Sequence, residues 1–127
     1  MIVLLVEDDD ELREMLEHAL ADEFDVRSCA CGDEGLHVLH TEPVDVLLTD
    51  LALPGVRGEA LAGEAQAMRP PVPVVVMSSD LARLEVMRPL VAAVIPKPSP
   101  LAAVKAALHR AVRPHLDQGP LERRGRG

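Results

Sequence analysis

"VDVLLTDLALPG", residues 44–55, begins as an aliphatic run and ends on a proline–glycine turn, with one carboxylate, Asp50, at the junction. A short apolar run without alternation fits a strand buried on both faces, the habit of parallel sheets covered by helices. In such sheets ligands bind outside the carboxyl ends of the strands. Asp50 stands at one of those ends.

The same grammar extends in both directions. "IVLLV" (2–6), "DVLLT" (45–49), "PVVVMS" (73–78) and "VAAVI" (91–95) read as buried strands, and "DVRSC" (25–29) as a weaker, more polar one. Helices are expected between them. In the first, Leu12, Met15, Leu16, Ala19 and Leu20 fall on one face. Asp9 or Asp10 is placed to cap it, with Glu11 and Glu14 near the positive end of its dipole. The others span 32–40, 58–68 and 80–88, and Leu101, Val104, Leu108 and Ala111 mark the last. Strands alternating with helices predict an α/β fold: a doubly wound, five-stranded parallel sheet of order 2-1-3-4-5, flavodoxin-like, with helices on both faces. Residues 1–113 form one domain on this reading. Residues 114–127 lack periodicity and read as a flexible C-terminal tail.

Composition narrows the function classes. At 127 residues and 48% hydrophobic, the chain has the size of a single-core domain. Phe24 is its only aromatic residue, which leaves no ring platform for stacking bases, and the net charge of −8 opposes a phosphate-backbone partner. No direct nucleic-acid binding is expected. The charge is uneven: residues 1–50 hold 15 acids and 2 bases (−13), residues 51–127 hold 6 acids and 11 bases (+5). Apolar runs fall far short of the roughly 20 residues of a membrane span, and the N-terminus lacks the basic region of a signal peptide. A cytoplasmic protein with no membrane partner is therefore expected, with Cys29 and Cys31 as reduced thiols.

At the rim of the expected sheet, Glu7 and Asp8 follow the first strand and Asp50 ends the third. Three carboxylates in one crevice repel one another unless a cation neutralises them, and hard oxygen ligands with room for water suit magnesium. Ser78 and Lys97 end the fourth and fifth strands at the same rim. Carboxylates, a divalent cation, a hydroxyl and an ammonium around one point describe a phosphoryl-transfer site.

These motifs together resemble a response-regulator receiver domain over residues 1 to about 113. "LLVEDDDELREML" resembles that family's first strand, acidic pair and first helix, "DVLLTDLALPGVRG" its phosphoacceptor strand and loop, and "PVVVMSS" and "PKP" its hydroxyl and lysine–proline motifs. The resemblance implies that Asp50 is the phosphoacceptor and that Mg2+ is held by Glu7, Asp8, Asp50 and the backbone carbonyl of Ala52. It further implies that Ser78 and Lys97 contact the phosphoryl group and that the Lys97–Pro98 bond is a candidate cis peptide. The implied partners are a sensor histidine kinase or histidine phosphotransfer protein as donor and an unspecified downstream protein as recipient. The implied activity is the chain's own phosphorylation and slow autodephosphorylation, short of a conventional enzyme.

Two departures concern signalling rather than chemistry. The fifth-strand switch position, usually Tyr or Phe, is Val94, and Ser99 replaces the usual bulky residue after "KP". The stretch 78–97 is also short, with Pro89 inside it. The expectation is a stand-alone phosphorylatable switch; the alternative is a receiver-like interaction module that is not phosphorylated in the cell. A phosphatase of the haloacid dehalogenase type fits less well, because nothing here is long enough for a cap insertion. "CACGDEGLHVLH" offers Cys29, Cys31, His37 and His40, yet its spacing matches no established zinc pattern. Those residues read as strand-end thiols and helix-surface histidines.

Overall fold

A computed structural model describes residues 1–117. Five strands, β1 (Ile2–Val6), β2 (Asp25–Cys29), β3 (Val46–Asp50), β4 (Val74–Ser78) and β5 (Ala93–Pro96), form one sheet in the order β2-β1-β3-β4-β5. Every neighbouring pair is parallel. The intervening helices are α1 (Asp10–Leu20), α2 (Gly32–Thr41), α3 (Gly58–Ala67), α4 (Leu81–Met87) and α5 (Leu101–Asp117).

The three central strands explain the aliphatic runs: β3 and β4 are buried throughout, and β1 in all but its first residue. Successive side chains point to opposite faces, so each strand feeds two cores. Val3, Leu5, Val46, Leu48, Val75 and Met77 pack with Leu16 and Leu20 of α1 and with Val104 and Leu108 of α5. Leu4, Val6, Leu47, Val74 and Val76 pack with Leu39 of α2, Leu61 and Ala65 of α3, and Leu84 and Met87 of α4. Edge strand β2 is largely exposed, which accounts for its polar sequence.

Asp9 caps α1, accepting from the Leu12 amide at 3.0 Å, and Asp80 caps α4, accepting from the Arg83 amide at 3.2 Å. Gly55, with φ +73°, occupies the left-handed region that a side chain disfavours and turns the loop after β3 back toward α3.

Several boundaries differ from expectation, most of them by one residue. β5 starts at Ala93 rather than residue 91, because Arg88–Leu90 form a 3-10 turn around Pro89 and the first sheet bond from this segment, Ala92 N to Val74 O, comes only after it. α4 is confined to Leu81–Met87 for the same reason. α5 runs through Pro114 to Asp117, past the expected boundary at Arg113; one proline removes a single backbone donor and need not end a helix at its last turns. The expected tail beyond Asp117 lies outside the described residues. No helix among the described residues is long and apolar enough to cross a membrane.

Candidate functional site

Parallel pairing in register brings the carboxyl ends of β1, β3, β4 and β5 to one rim. Asp50 aligns with Met77, and Ser78 with Pro96, so Asp50, Ser78 and Lys97 end adjacent strands at nearly one level. Glu7 follows β1, its amide donating to the Cys29 carbonyl at 3.1 Å. Glu7, Asp8 and Asp50 each present a carboxylate oxygen within 4.8 Å of the others.

The charges are unequally exposed. Glu7 is fully buried at 0% exposure and Asp50 nearly so at 5%, while Asp8 is exposed. Lys97 joins the buried pair: its Nζ donates to Asp50 Oδ2 at 2.7 Å and to Glu7 Oε1 at 3.1 Å. Glu7 Oε2 accepts from the Asp9 amide at 3.1 Å, and Asp50 Oδ1 from the Ala52 amide at 3.2 Å. Both carboxylates are therefore held at both oxygens, which fixes their orientation.

Burial pushes the Glu7 carboxyl above its usual range; the Asp9 amide and Lys97 oppose that shift and the Asp50 charge adds to it. Burial tends to lower the Lys97 pKa, but hydrogen bonds and charge from Asp50 and Glu7 outweigh it, and the net shift is upward. Lys97 is thus a fixed cation paired with two of the three carboxylates. The excess of negative charge, all on hard oxygens and open to water at Asp8, suits a small divalent cation, with Mg2+ preferred because it retains several waters. The residues present fit that ion.

Ser78 is buried at 3% exposure, and its Oγ accepts from the Asp80 amide at 2.9 Å. The Ser78 carbonyl accepts from the Lys97 amide at 2.9 Å, tying β4 to the start of the Lys97–Pro98 segment. The Lys97–Pro98 peptide is cis, as is Arg69–Pro70. Val94 is half-buried, opposite Val76, and packs on the α2–α3–α4 core.

The cysteine–histidine segment assembles no metal site among the described residues. Cys29 is buried at the end of β2, where burial pushes its thiol to about 11. Cys31 precedes α2, and His37 and His40 are exposed on it, His40 lying 3.2 Å from Glu64.

Two features of the site escaped the sequence reading. Gly58 opens α3 directly against the Asp50 backbone: a Cβ there would lie 2.2 Å from the Asp50 carbonyl oxygen. Arg83 of α4 reaches back across the loop after β3, its Nη2 donating to the Leu51 carbonyl at 3.0 Å and to Glu59. Neither carries a local sequence signal beyond a glycine before a helix and an arginine within one.

The chain is similar to known proteins in sequence and in fold. Residues 3–109 match the family described as "Response regulator receiver domain". The chain is 32% identical over 121 residues to the DNA-binding transcriptional regulator NtrC of Klebsiella pneumoniae, covering 92% of this chain and 26% of that protein. It is 38% identical over 129 residues to the transcriptional activator protein PfeR of Pseudomonas aeruginosa, covering 96% of this chain and 41% of that protein. The chain therefore spans less than half the length of these relatives. Among solved structures, a CheY-like receiver domain protein from Methanospirillum hungatei superposes with a TM-score of 0.82 at 21% identity, covering 93% of this chain and 98% of that one. A receiver domain protein from Clostridium thermocellum gives 0.81 at 20% identity, covering 90% and 95%. These two show the fold.

Proposed function

This chain belongs to the response regulator receiver domain family, and from that premise we propose that it is a phosphorylatable switch whose acceptor is Asp50. Receiver domains act in two-component signalling, so the donor is the phosphohistidine of a sensor histidine kinase or histidine phosphotransfer protein. One observation carries the reading: Lys97 bridges the buried Asp50 and Glu7 at the point where Asp8 converges on them.

In the proposed step an oxygen of Asp50 attacks phosphorus, the phosphorus–nitrogen bond breaks, its electron pair stays on the imidazole, and an acyl phosphate forms. Lys97 and the Ala52 amide hold the attacking carboxylate in one orientation. Lys97 and the Ser78 hydroxyl would then hydrogen-bond the arriving phosphoryl oxygens. Glu7, Asp8, Asp50 and the Ala52 carbonyl would hold Mg2+, which would supply the positive charge that a dianionic group needs to approach three carboxylates. The downstream partner is a protein. DNA binding is said of the whole NtrC relatives, of which this chain covers 26%.

Intact mass after incubation with acetyl phosphate and Mg2+ tests the reading. A single phosphoryl adduct is expected, and chelation with EDTA should prevent it. No adduct under any divalent condition favours the unphosphorylated interaction module, and a full adduct in EDTA removes the metal assignment.

Output should follow an unusual route. Val94 has one stiff torsion and too little volume to act as a buried-to-exposed reporter, whereas the segment after Ser78 is tied to the site through Asp80 and Arg83. With the phosphoryl mimic beryllofluoride, amide shifts in residues 78–84 are expected to exceed those at Val94 and along β5. Shifts centred on Val94 with residues 78–84 silent contradict this route.

A further inference from the structure

The peptide that joins Leu51 to Ala52 is held from both sides. Its carbonyl accepts from the Gly58 amide at 3.1 Å and from Arg83 Nη2 at 3.0 Å. Its N–H, on Ala52, donates to Asp50 Oδ1 at 3.2 Å. A peptide is planar, so turning the carbonyl turns the N–H with it. The guanidinium of Arg83 therefore sets the direction from which Asp50 receives a hydrogen bond, without touching Asp50.

Arg83 is itself oriented. Its Nε donates to Glu59 Oε2 at 2.9 Å and its Nη2 to both Glu59 oxygens at 2.7 Å. At 24% exposure for Arg83 and 38% for Glu59, an ion pair by itself contributes little. The third acceptor, a backbone carbonyl one residue past Asp50, gives the arrangement its direction. At the other end, the Arg83 amide donates to Asp80, whose amide donates to Ser78 Oγ. Hydrogen bonds thus run from Ser78 through α4 to Asp50.

We propose that Arg83, oriented by Glu59, is a positioning residue for phosphoryl transfer at Asp50, acting through the Leu51–Ala52 peptide. The inference rests on the reading of Asp50 as acceptor. Arginine suits the role because its planar fork reaches a carboxylate and a carbonyl at once; a lysine ammonium is a point charge that reaches them less specifically.

The test uses the full chain with Arg83→Met, Arg83→Lys and Glu59→Gln, followed by the adduct rate with acetyl phosphate over a range of donor and Mg2+ concentrations. Amide exchange of Ala52 and thermal unfolding are measured on the metal-free protein. Arg83→Met should lower the maximal rate about tenfold, the scale of losing an outer contact to a reacting group, with the donor half-saturation unchanged. Ala52 exchange should quicken without metal, and Arg83→Lys should recover part of both effects. Glu59→Gln should fall between Arg83→Met and wild type. A wild-type maximal rate and wild-type Ala52 exchange in Arg83→Met overturn the proposal, as does a rate loss that tracks only the melting temperature across the three variants. If the wild type itself forms no adduct, the acceptor reading falls and this inference falls with it, an outcome distinct from a normal wild type with an indifferent Arg83.

Discussion

Asp50→Asn is expected to abolish the phosphoryl adduct while leaving the fold at least as stable as the wild type. A carboxamide keeps the shape of the side chain and an acceptor oxygen for the Ala52 amide or Lys97, but it lacks the anionic nucleophile. The stability half of the expectation comes from charge. Asp50 and Glu7 are both buried beside one ammonium, and their repulsion helps to raise the Glu7 pKa. Removing one partner of a buried pair is severe when the other charge is left alone. Here Lys97 keeps Glu7 as partner at 3.1 Å, so that penalty does not arise, and relief of the repulsion should give a small gain.

The gain should also depend on pH. A carboxyl with a raised native pKa binds its proton more readily folded than unfolded, so the wild type recovers stability as pH falls through the native pKa of Glu7. The advantage of Asp50→Asn is therefore largest near neutrality and shrinks toward acid. Urea unfolding at several pH values measures it, and intact mass measures the adduct. A variant clearly weaker than wild type at neutral pH means that the Lys97–Asp50 attraction outweighs the repulsion; an undiminished adduct moves the acceptor elsewhere.

The sequence made legible whatever depends on one element at a time. β1, β3 and β4 announce themselves because strands buried on both faces must be aliphatic throughout, and the polar residue that ends each is then conspicuous: Glu7 just past β1, Asp50, and Ser78. Once the strand order is inferred, those residues and Lys97 must meet. Contacts set by the packing of one helix against another are hidden. Arg83 and Glu59 are 24 residues apart, and Arg83 and Leu51 are 32 apart; Arg83 and Glu59 are of types common on any exposed helix, and nothing in the spacing links the three. The start of β5 misleads for a related reason. "VAAVI" is uniformly apolar, but Val91 is used in leaving the 3-10 turn and Ala92 contributes only its amide, to Val74, so the sheet partner decides where pairing begins.

Two glycine-to-alanine changes five residues apart in α3 should have opposite signs. Gly58 lies so close to β3 that an added Cβ would sit 2.2 Å from the Asp50 carbonyl oxygen and 2.6 Å from Leu51 Cα. Those atoms are backbone, with no flexible side chain to yield, so the helix start or the strand end must move. Gly58→Ala should cost roughly 3 kcal/mol, the upper part of the usual range for overpacking, and lower the melting temperature by roughly 10 °C or more. Gly63, exposed later in the same helix, has nothing within 4 Å of the same added atom. Gly63→Ala should therefore stabilise by about 0.5–1 kcal/mol, by restricting the unfolded chain and favouring the helix. The backbone displaced in Gly58→Ala is that of Asp50 and of Leu51, whose carbonyl takes the Gly58 amide, so the adduct rate should fall even well below the melting transition. In Gly63→Ala the rate should hold. Thermal unfolding and adduct kinetics on the two variants measure both halves; equal stability in the pair, or a normal rate in Gly58→Ala, contradicts the close approach of α3 to the acceptor strand.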